Sequence, residues 1–187
     1  MIRSAYRPAP GRFLISEPFM GDPNFQRSVV FLTEHNEQGS LGFVINRQLA
    51  AGVHDLIEEL PVFDAPVFLG GPVEQNTLHY LHRLGDRLPK SQPVTDGVYW
   101  SGDFEILSEL IKNNRISHDD VLFFVGYSGW GPGQLEKELE QKAWIVAPED
   151  PHFVFNDDYG DLWQQILGNM GGKYRVIANY PVDPQLN

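Results

Sequence analysis

The sequence predicts an α+β fold, a single domain in which a mixed β-sheet is flanked by helices. Strand-like and helix-like runs alternate irregularly along the 187 residues, without the strict strand–helix succession of a doubly wound fold. Hairpin signals and crossover signals are mixed: two β-rich runs lie five residues apart, whereas others are separated by helical patterns. Hydrophobic residues make up 42% and aromatics 12% of the chain, enough for a packed core and too much for a disordered chain.

In order, residues 1–10 read as an N-terminal arm, since Pro8 and Pro10 limit regular pairing, and residues 11–187 as one domain. GRFLIS (11–16) is a short strand. EPFMGDPNF is a loop broken by Pro18, Gly21 and Pro23. RSVVFLTEH (27–35) and LGFVINR (41–47) are strands joined by NEQGS into a hairpin, and both are apolar on both faces, as in a sheet covered on two sides. VHDLIEEL (53–60) places Val53, Leu56, Ile57 and Leu60 at helical spacing before Pro61 stops it. PVFLGGPV is a strand running into a Gly-Gly-Pro turn. TLHYLH (77–82) and GVYWSG (97–102) are strands around a turn-rich loop at 83–96, the one weak candidate for a boundary.

SGDFEILSELIKNN is a helix started by Ser101 or Gly102, with acids in its first turn and Lys112 near its end. VLFFVGYSGWGPGQLEKELE reads as strand, glycine turn and helix, with Pro132 at the first helical position. AWIVAP (143–148) is a strand, and HFVF (152–155) a short apolar run of no clear type. DDYGDLWQQILGNMGG is a helix opened near Asp157 or Asp158 and closed by Gly171-Gly172.

Composition excludes several functions. The formal net charge of −11 argues against direct DNA binding and against anionic membranes, because both need clustered Lys and Arg. With no cysteine, disulfides, thiolate metal sites and cysteine nucleophiles are excluded, which suits a cytoplasmic protein. MIRSAYRPAPGRF has no apolar h-region, and no apolar run approaches the ~18 residues of a membrane span.

The glycine-rich stretch at 126–133 resembles several catalytic turns and completes none. A nucleophile elbow needs Gly-x-Ser-x-Gly. Gly126 and Ser128 supply the start, but Trp130 replaces the last glycine, and His152 is the one histidine downstream. Gly126 and Gly131 have P-loop spacing, but Pro132 and Gly133 stand where Lys and a hydroxyl belong. Gly129 and Gly131 begin a dinucleotide fingerprint that Gln134 breaks. Three readings stay open here: a catalytic turn at Ser128, an anion-binding helix N-terminus at Pro132, or a turn whose glycines let Trp130 cover the core. His79 and His82, three apart in a strand, should face opposite sides. Asp119-Asp120 and Asp157-Asp158 read as caps, so neither a metal nor a cofactor is expected.

The hairpin carries a polar set. If the loop is Asn36–Gly39, His35 opposes Ser40 and Val29 opposes Asn46. Arg27, Thr33, His35, Gly42 and Asn46 then share one sheet face with Val29, Phe31 and Val44 between them. Either Arg27, His35 and Asn46 line a small pocket over Gly42, or they are polar strand ends.

Three blocks, DPNFQRSVVFLTEHNEQGSLGFVINR, VFLGGPVEQNTLHYLH and GYSGWGPGQLEKELEQKAWIVAP, stand in an order that resembles the YqgE/AlgH family of bacterial proteins across about residues 11–170. Asp22, Pro23, Phe25, Ser28, His35, Gly42, Asn46, Gly70, Gly71, Pro72, Gly129, Trp130 and Gly133 match its pattern, as does the tail IANYPVDPQLN. Arg47-Gln48 departs from it, since the family often has Arg-Pro. The resemblance implies a mixed, partly barrel-like sheet and a bacterial cytoplasmic protein. It implies no catalytic residue or cofactor. Some members carry the label of transcriptional regulator, tied to alginate production; without a DNA-reading element such a role here would be indirect. The expectation is therefore a non-enzymatic binding or regulatory protein. It would meet an unknown protein or small-molecule partner through Arg27, His35, Asn46, Ser128 and Trp130. The alternatives are a hydrolase using Ser128 or His35, and an indirect transcriptional regulator.

Overall fold

The runs rich in β-branched and aromatic residues form the strands of one continuous sheet. In this computed structural model, which describes residues 5–183, the strands are β1 Phe13–Ser16, β2 Val29–Asn36, β3 Gly39–Val44, β4 Val67–Leu69, β5 Val73–His82, β6 Gln92–Thr95, β7 Val98–Trp100, β8 Val121–Trp130 and β9 Trp144–Ala147. Residues 1–4 of the expected arm and 184–187 of the expected tail lie outside the described residues. The sheet order is β6-β7-β5-β8-β3-β2-β1-β9, with β4 against β8. Among the described residues only the β4–β8 ladder is parallel, so the sheet is mixed. It does not close on itself, since β6 and β9 end the path.

Among the described residues six helices complete the α+β domain: α1 Val53–Leu56, α2 Phe104–Lys112, α3 Gln134–Glu140, α4 Pro151–Val154, α5 Leu162–Met170 and α6 Gly172–Ala178. They cover both faces, as the two-sided apolar strands require. Phe13, Ile15, Val29, Phe31, Phe43 and Ile45 join Trp163, Ile166 and Leu167 of α5 in one cluster. On the opposite face Leu14, Val30, Leu32 and Val44 pack with Trp130, Trp144 and Leu135 of α3. A third cluster sets Leu107 and Ile111 of α2 against Tyr80, Val121 and Phe123.

Several local expectations are corrected. α1 stops after one turn because Ile57 is extended (φ −128°). Eight residues before a proline hold too few helical bonds to persist unsupported. α2 is capped by Asp103, whose Oδ1 accepts from the Glu105 and Ile106 amides at 3.1 and 3.3 Å, rather than by Ser101 or Gly102. The 83–96 loop contains a 3-10 turn at Gly85–Arg87 and the edge strand β6. HFVF falls mostly within α4, capped by Asp150 through the His152 amide at 3.1 Å. Gly171-Gly172 ends α5, but α6 starts at once.

The stretch at 121–140 also differs. GYSGW is not a turn: Ser128, Gly129 and Trp130 pair with Gly42, Leu41 and Ser40 of β3. The bend comes at 131–133, and Gly133, with φ 73°, is the N-cap, so Pro132 lies before α3 instead of in its first turn. The hairpin register shifts between Leu32 and Glu34. His35 opposes Ser40 as expected, but Thr33 is an extra residue, and beyond it Leu32 faces Gly42 and Val30 faces Val44. A bulge of this kind reverses which side chains share a face.

Candidate functional site

That bulge breaks up the expected pocket of Arg27, His35 and Asn46. Val29 and Phe31 now share a cluster with Phe43 and Ile45, while Val44 lies on the other face. His35 stays at the turn end of the hairpin, and Arg27 and Asn46 meet at the far end. Asn46 clamps the backbone there: its Nδ2 donates to the Arg27 carbonyl at 2.8 Å, and its Oδ1 accepts from the Val29 amide at 2.9 Å. Gly42 leaves room for backbone, since a Cβ there would fall 2.5 Å from the Phe31 carbonyl oxygen.

Ser128 is fully buried, and its hydroxyl donates to the Gly70 carbonyl at 3.0 Å. A nucleophile must be reachable and hydrogen-bonded to a base, and this hydroxyl bonds to backbone instead. The two glycine-rich stretches face each other. Cβ atoms on Gly70 and Gly71 would fall 2.5 and 2.2 Å from the carbonyl oxygens of Gly126 and Tyr127. The glycines therefore allow two backbones to approach closely.

Trp130 is also committed. Its Nε1 donates to Glu138 Oε2 at 2.9 Å, and the same oxygen accepts from Trp144 Nε1 at 2.7 Å. Phe25 lies against both indoles, with ring centroids 6.2 and 5.4 Å away. His35 Nδ1 lies 2.7 Å from Ser40 Oγ, and its Nε2 lies 3.6 Å from Glu136 Oε1. His79 and His82 do face apart. His79 rests on Phe43 and Tyr127, whereas His82 is fully buried and bonds the Ser101 carbonyl at 2.7 Å. Among the described residues no three His, Asp or Glu side chains are grouped to hold a metal.

An open site lies where Arg27 ties a loop to the end of the chain. Residues 17–28 join β1 to β2, a long link where a hairpin needs about 2–5 residues. Arg47 organises it, donating to the carbonyls of Pro23 and Gln26 at 3.1 and 3.0 Å and to that of Asn24. Arg27 ties it to the end of the chain. One Nη2 donates to the Tyr180 and Pro181 carbonyls at 2.8 and 2.6 Å, and the guanidinium lies 4.2 Å over the Trp163 ring. Burial lowers the Arg27 pKa from its ordinary value, but an arginine stays charged. The segment after α6 is thus held against the loop, and Phe19 stacks on Tyr180 at 5.9 Å.

Between them opens a pocket of about 230 Å³ lined by Glu17, Pro18, Phe19, Lys142, Trp144, Ile145, Ile177 and Tyr180. Phe19 and Tyr180 are 42% and 41% exposed, and Val176 and Val182 on the same C-terminal segment are exposed further. Periodicity could not have found this site: its lining comes from a loop, a strand edge and a helix hidden behind two glycines.

A family model described as AlgH-like matches residues 13–175. A UPF0301 protein of Cytophaga hutchinsonii is 45% identical over 178 residues, covering 95% of this chain and 98% of its own. One from Chlorobium limicola is 40% identical over 178 residues, with 95% of each chain covered. The solution structure of the AlgH protein from Pseudomonas aeruginosa matches with a TM-score of 0.74 and 29% identity, over 97% of this chain and 98% of its own. The crystal structure of protein DIP2367 from Corynebacterium diphtheriae shares the fold, with a TM-score of 0.76 at 24% identity over 96% and 95%.

Proposed function

The chain belongs to the AlgH-like family, and on that premise we propose that it is a non-enzymatic binding protein of the bacterial cytoplasm. It engages a partner protein through the pocket and apolar patch around Phe19 and Tyr180. The observation that carries this reading is two exposed aromatic rings flanking an open pocket walled by Trp144, Ile145 and Ile177. Apolar surface gathered around a concavity gains free energy when a partner covers it, and aromatic anchors concentrate that gain. The cysteine-free composition suits the cytoplasm. Any regulatory role runs through this contact, because a net charge of −11 opposes a grip on DNA.

A hydrolase using His35 is the second reading. Ser40, His35 and Glu136 form a line in which the Ser–His distance is short. Against it, Ser40 is 8% exposed, and the 3.6 Å to Glu136 is too long for an orienting hydrogen bond.

A library of random peptides, displayed both internally and with free chain ends, tests the first reading. Panned on the wild-type chain and counter-selected on Tyr180→Ala, it should yield a consensus that binds wild type and loses the variant. Peptides that bind both equally would remove the patch from consideration, and covalent labelling of Ser40 by a fluorophosphonate would favour the hydrolase.

A further inference from the structure

Among the described residues Lys142 is the only cation in the lining of the Phe19–Tyr180 pocket. It is exposed and forms no ion pair among the described residues. The other charged group of the lining is Glu17, whose Oε2 accepts from the Phe19 amide at 3.2 Å. Lys142 also stands at φ 62°, where it ends α3 as its own amide and that of Ala143 bond back to Leu139 and Glu138 at 3.0 Å each. Glycine or asparagine takes that conformation at lower cost, so the turn itself does not call for a lysine.

We propose that this pocket receives the chain end of a partner protein whose last residue is large and apolar. The side chain enters between Trp144, Ile145, Ile177 and the Phe19–Tyr180 pair, and the terminal carboxylate pairs with Lys142. The inference rests on the binding reading above and adds the chemistry that the site selects. A pocket of about 230 Å³ takes one large side chain. Lys142 belongs to the same lining, so its anionic partner must lie within a few bonds of that side chain. A terminal carboxylate does, being attached to the same Cα. The chain's charge of −11 does not forbid this, because physiological salt screens exposed charges beyond about 8 Å. Within the lining Lys142 attracts the carboxylate and the Glu17 carboxylate opposes it, which keeps the expected gain to a few-fold. Captured chain ends are an established recognition mode.

Three probes separate the possibilities: N-acetyl-phenylalanine, its uncharged amide, and N-acetyl-phenylalanyl-glutamate amide, which carries its carboxylate on a side chain. Binding is read from the Trp144 indole resonance and the backbone amides of Phe19 and Tyr180 during titration. The free acid should bind about three- to five-fold tighter than its amide, the range of a partly exposed ion pair. Lys142→Gln should erase that ratio, and Lys142→Glu should invert it. Both variants keep an unbranched side chain at the same φ and should fold.

Equal binding of acid and amide would overturn the carboxylate inference while leaving the binding reading standing. Glutamate-bearing probe as tight as the free acid would overturn the chain-end assignment. No shift from any probe at millimolar concentration would overturn inference and reading together. A dimer in sedimentation that Tyr180→Ala dissolves would seat a second copy of the chain on the patch and exclude the partner's chain end.

Discussion

Glu138 holds together two of the tryptophans that a sequence reading would assign to separate elements. Its Oε2 takes both indole N–H groups, and its Oε1 accepts from Gln134 Nε2 at 3.0 Å. Trp130 and Trp144 are 5% and 4% exposed, so water cannot readily replace that oxygen. Each donor stranded in such a place costs about 1–3 kcal/mol, so Glu138→Ala, which strands two, should lower stability by about 2–6 kcal/mol. Glu138→Gln keeps an acceptor oxygen for the indoles but loses the charge assistance and the exposed bond from Gln134 Nε2, which would face its amide nitrogen, a change of about 1–2 kcal/mol. Urea titrations followed by tryptophan fluorescence measure both; equal losses would mean that charge, not the acceptor, is what the indoles need. Trp130 was legible as a residue of consequence, but Glu138 was not, because the bend at 131–133 and one helical turn bring it back to the strand. Arg27 and Asn46 were likewise legible as individuals. Their meeting runs through the Arg27 carbonyl, an atom that carries no sequence signal.

At the scale of elements, the strands with β-branched and aromatic runs were legible in type and nearly in length, because two-sided burial demands such residues. What was not legible depends on partners distant in sequence. Thr33 bulges out of the β2–β3 ladder, its hydroxyl donating to the Leu41 carbonyl at 3.2 Å, and no local pattern announces an extra residue. β6, with proline in its second position, is a strand because β7 lies beside it. α6 was hidden because Gly-Gly reads as an end, although it can equally join two helices. The candidate pocket inherits these gaps, since α6 supplies Ile177 and the segment after it supplies Tyr180. The crossing of the two glycine stretches gives a sharp element-level test. At Gly71 (φ 156°) a Cβ would fall 2.2 Å from the Tyr127 carbonyl oxygen and 2.4 Å from Ser128 Oγ, whereas at Gly133 (φ 73°) it would meet nothing within 4 Å. Gly71→Ala should therefore cost about 3 kcal/mol or more, through overlap as well as strain. Gly133→Ala should cost about 1 kcal/mol, the left-handed penalty alone. Similar losses in thermal or urea unfolding would show that conformation, not close approach, explains both glycines.

For the whole molecule, the strongest control on folding near neutral pH should come from His82, which sits where β5, β7 and the 83–91 segment converge. Its Nδ1 accepts from the Leu84 amide at 3.2 Å, its Nε2 lies 2.7 Å from the Ser101 carbonyl and 3.0 Å from Ser91 Oγ, and Tyr99 stacks on the ring at 5.7 Å. These partners fix the neutral tautomer with hydrogen on Nε2. Adding a proton would turn Nδ1 into a donor facing a donor. Burial accordingly lowers the His82 pKa from 6.5, only partly opposed by the Ser101 carbonyl, and burial lowers that of His79 too, with Glu74 opposing. A histidine whose folded pKa is depressed takes up its proton more readily when unfolded. Its stabilisation is thus complete above 6.5 and is lost as pH falls from there through the folded value. A second effect runs the other way: acidification toward the pI of about 4.8 relieves self-repulsion in a chain of charge −11. The wild-type slope is therefore a difference, and a variant is needed to isolate the histidine. His82→Gln removes the titrating ring, so its urea midpoint should fall less than that of wild type between pH about 7.5 and about 5.5, although it starts from a lower value. His79→Gln, at a half-buried position, should recover a smaller part of the slope. Parallel curves for wild type and His82→Gln would mean that the buried imidazole is not the group on which the acid limit of this fold depends.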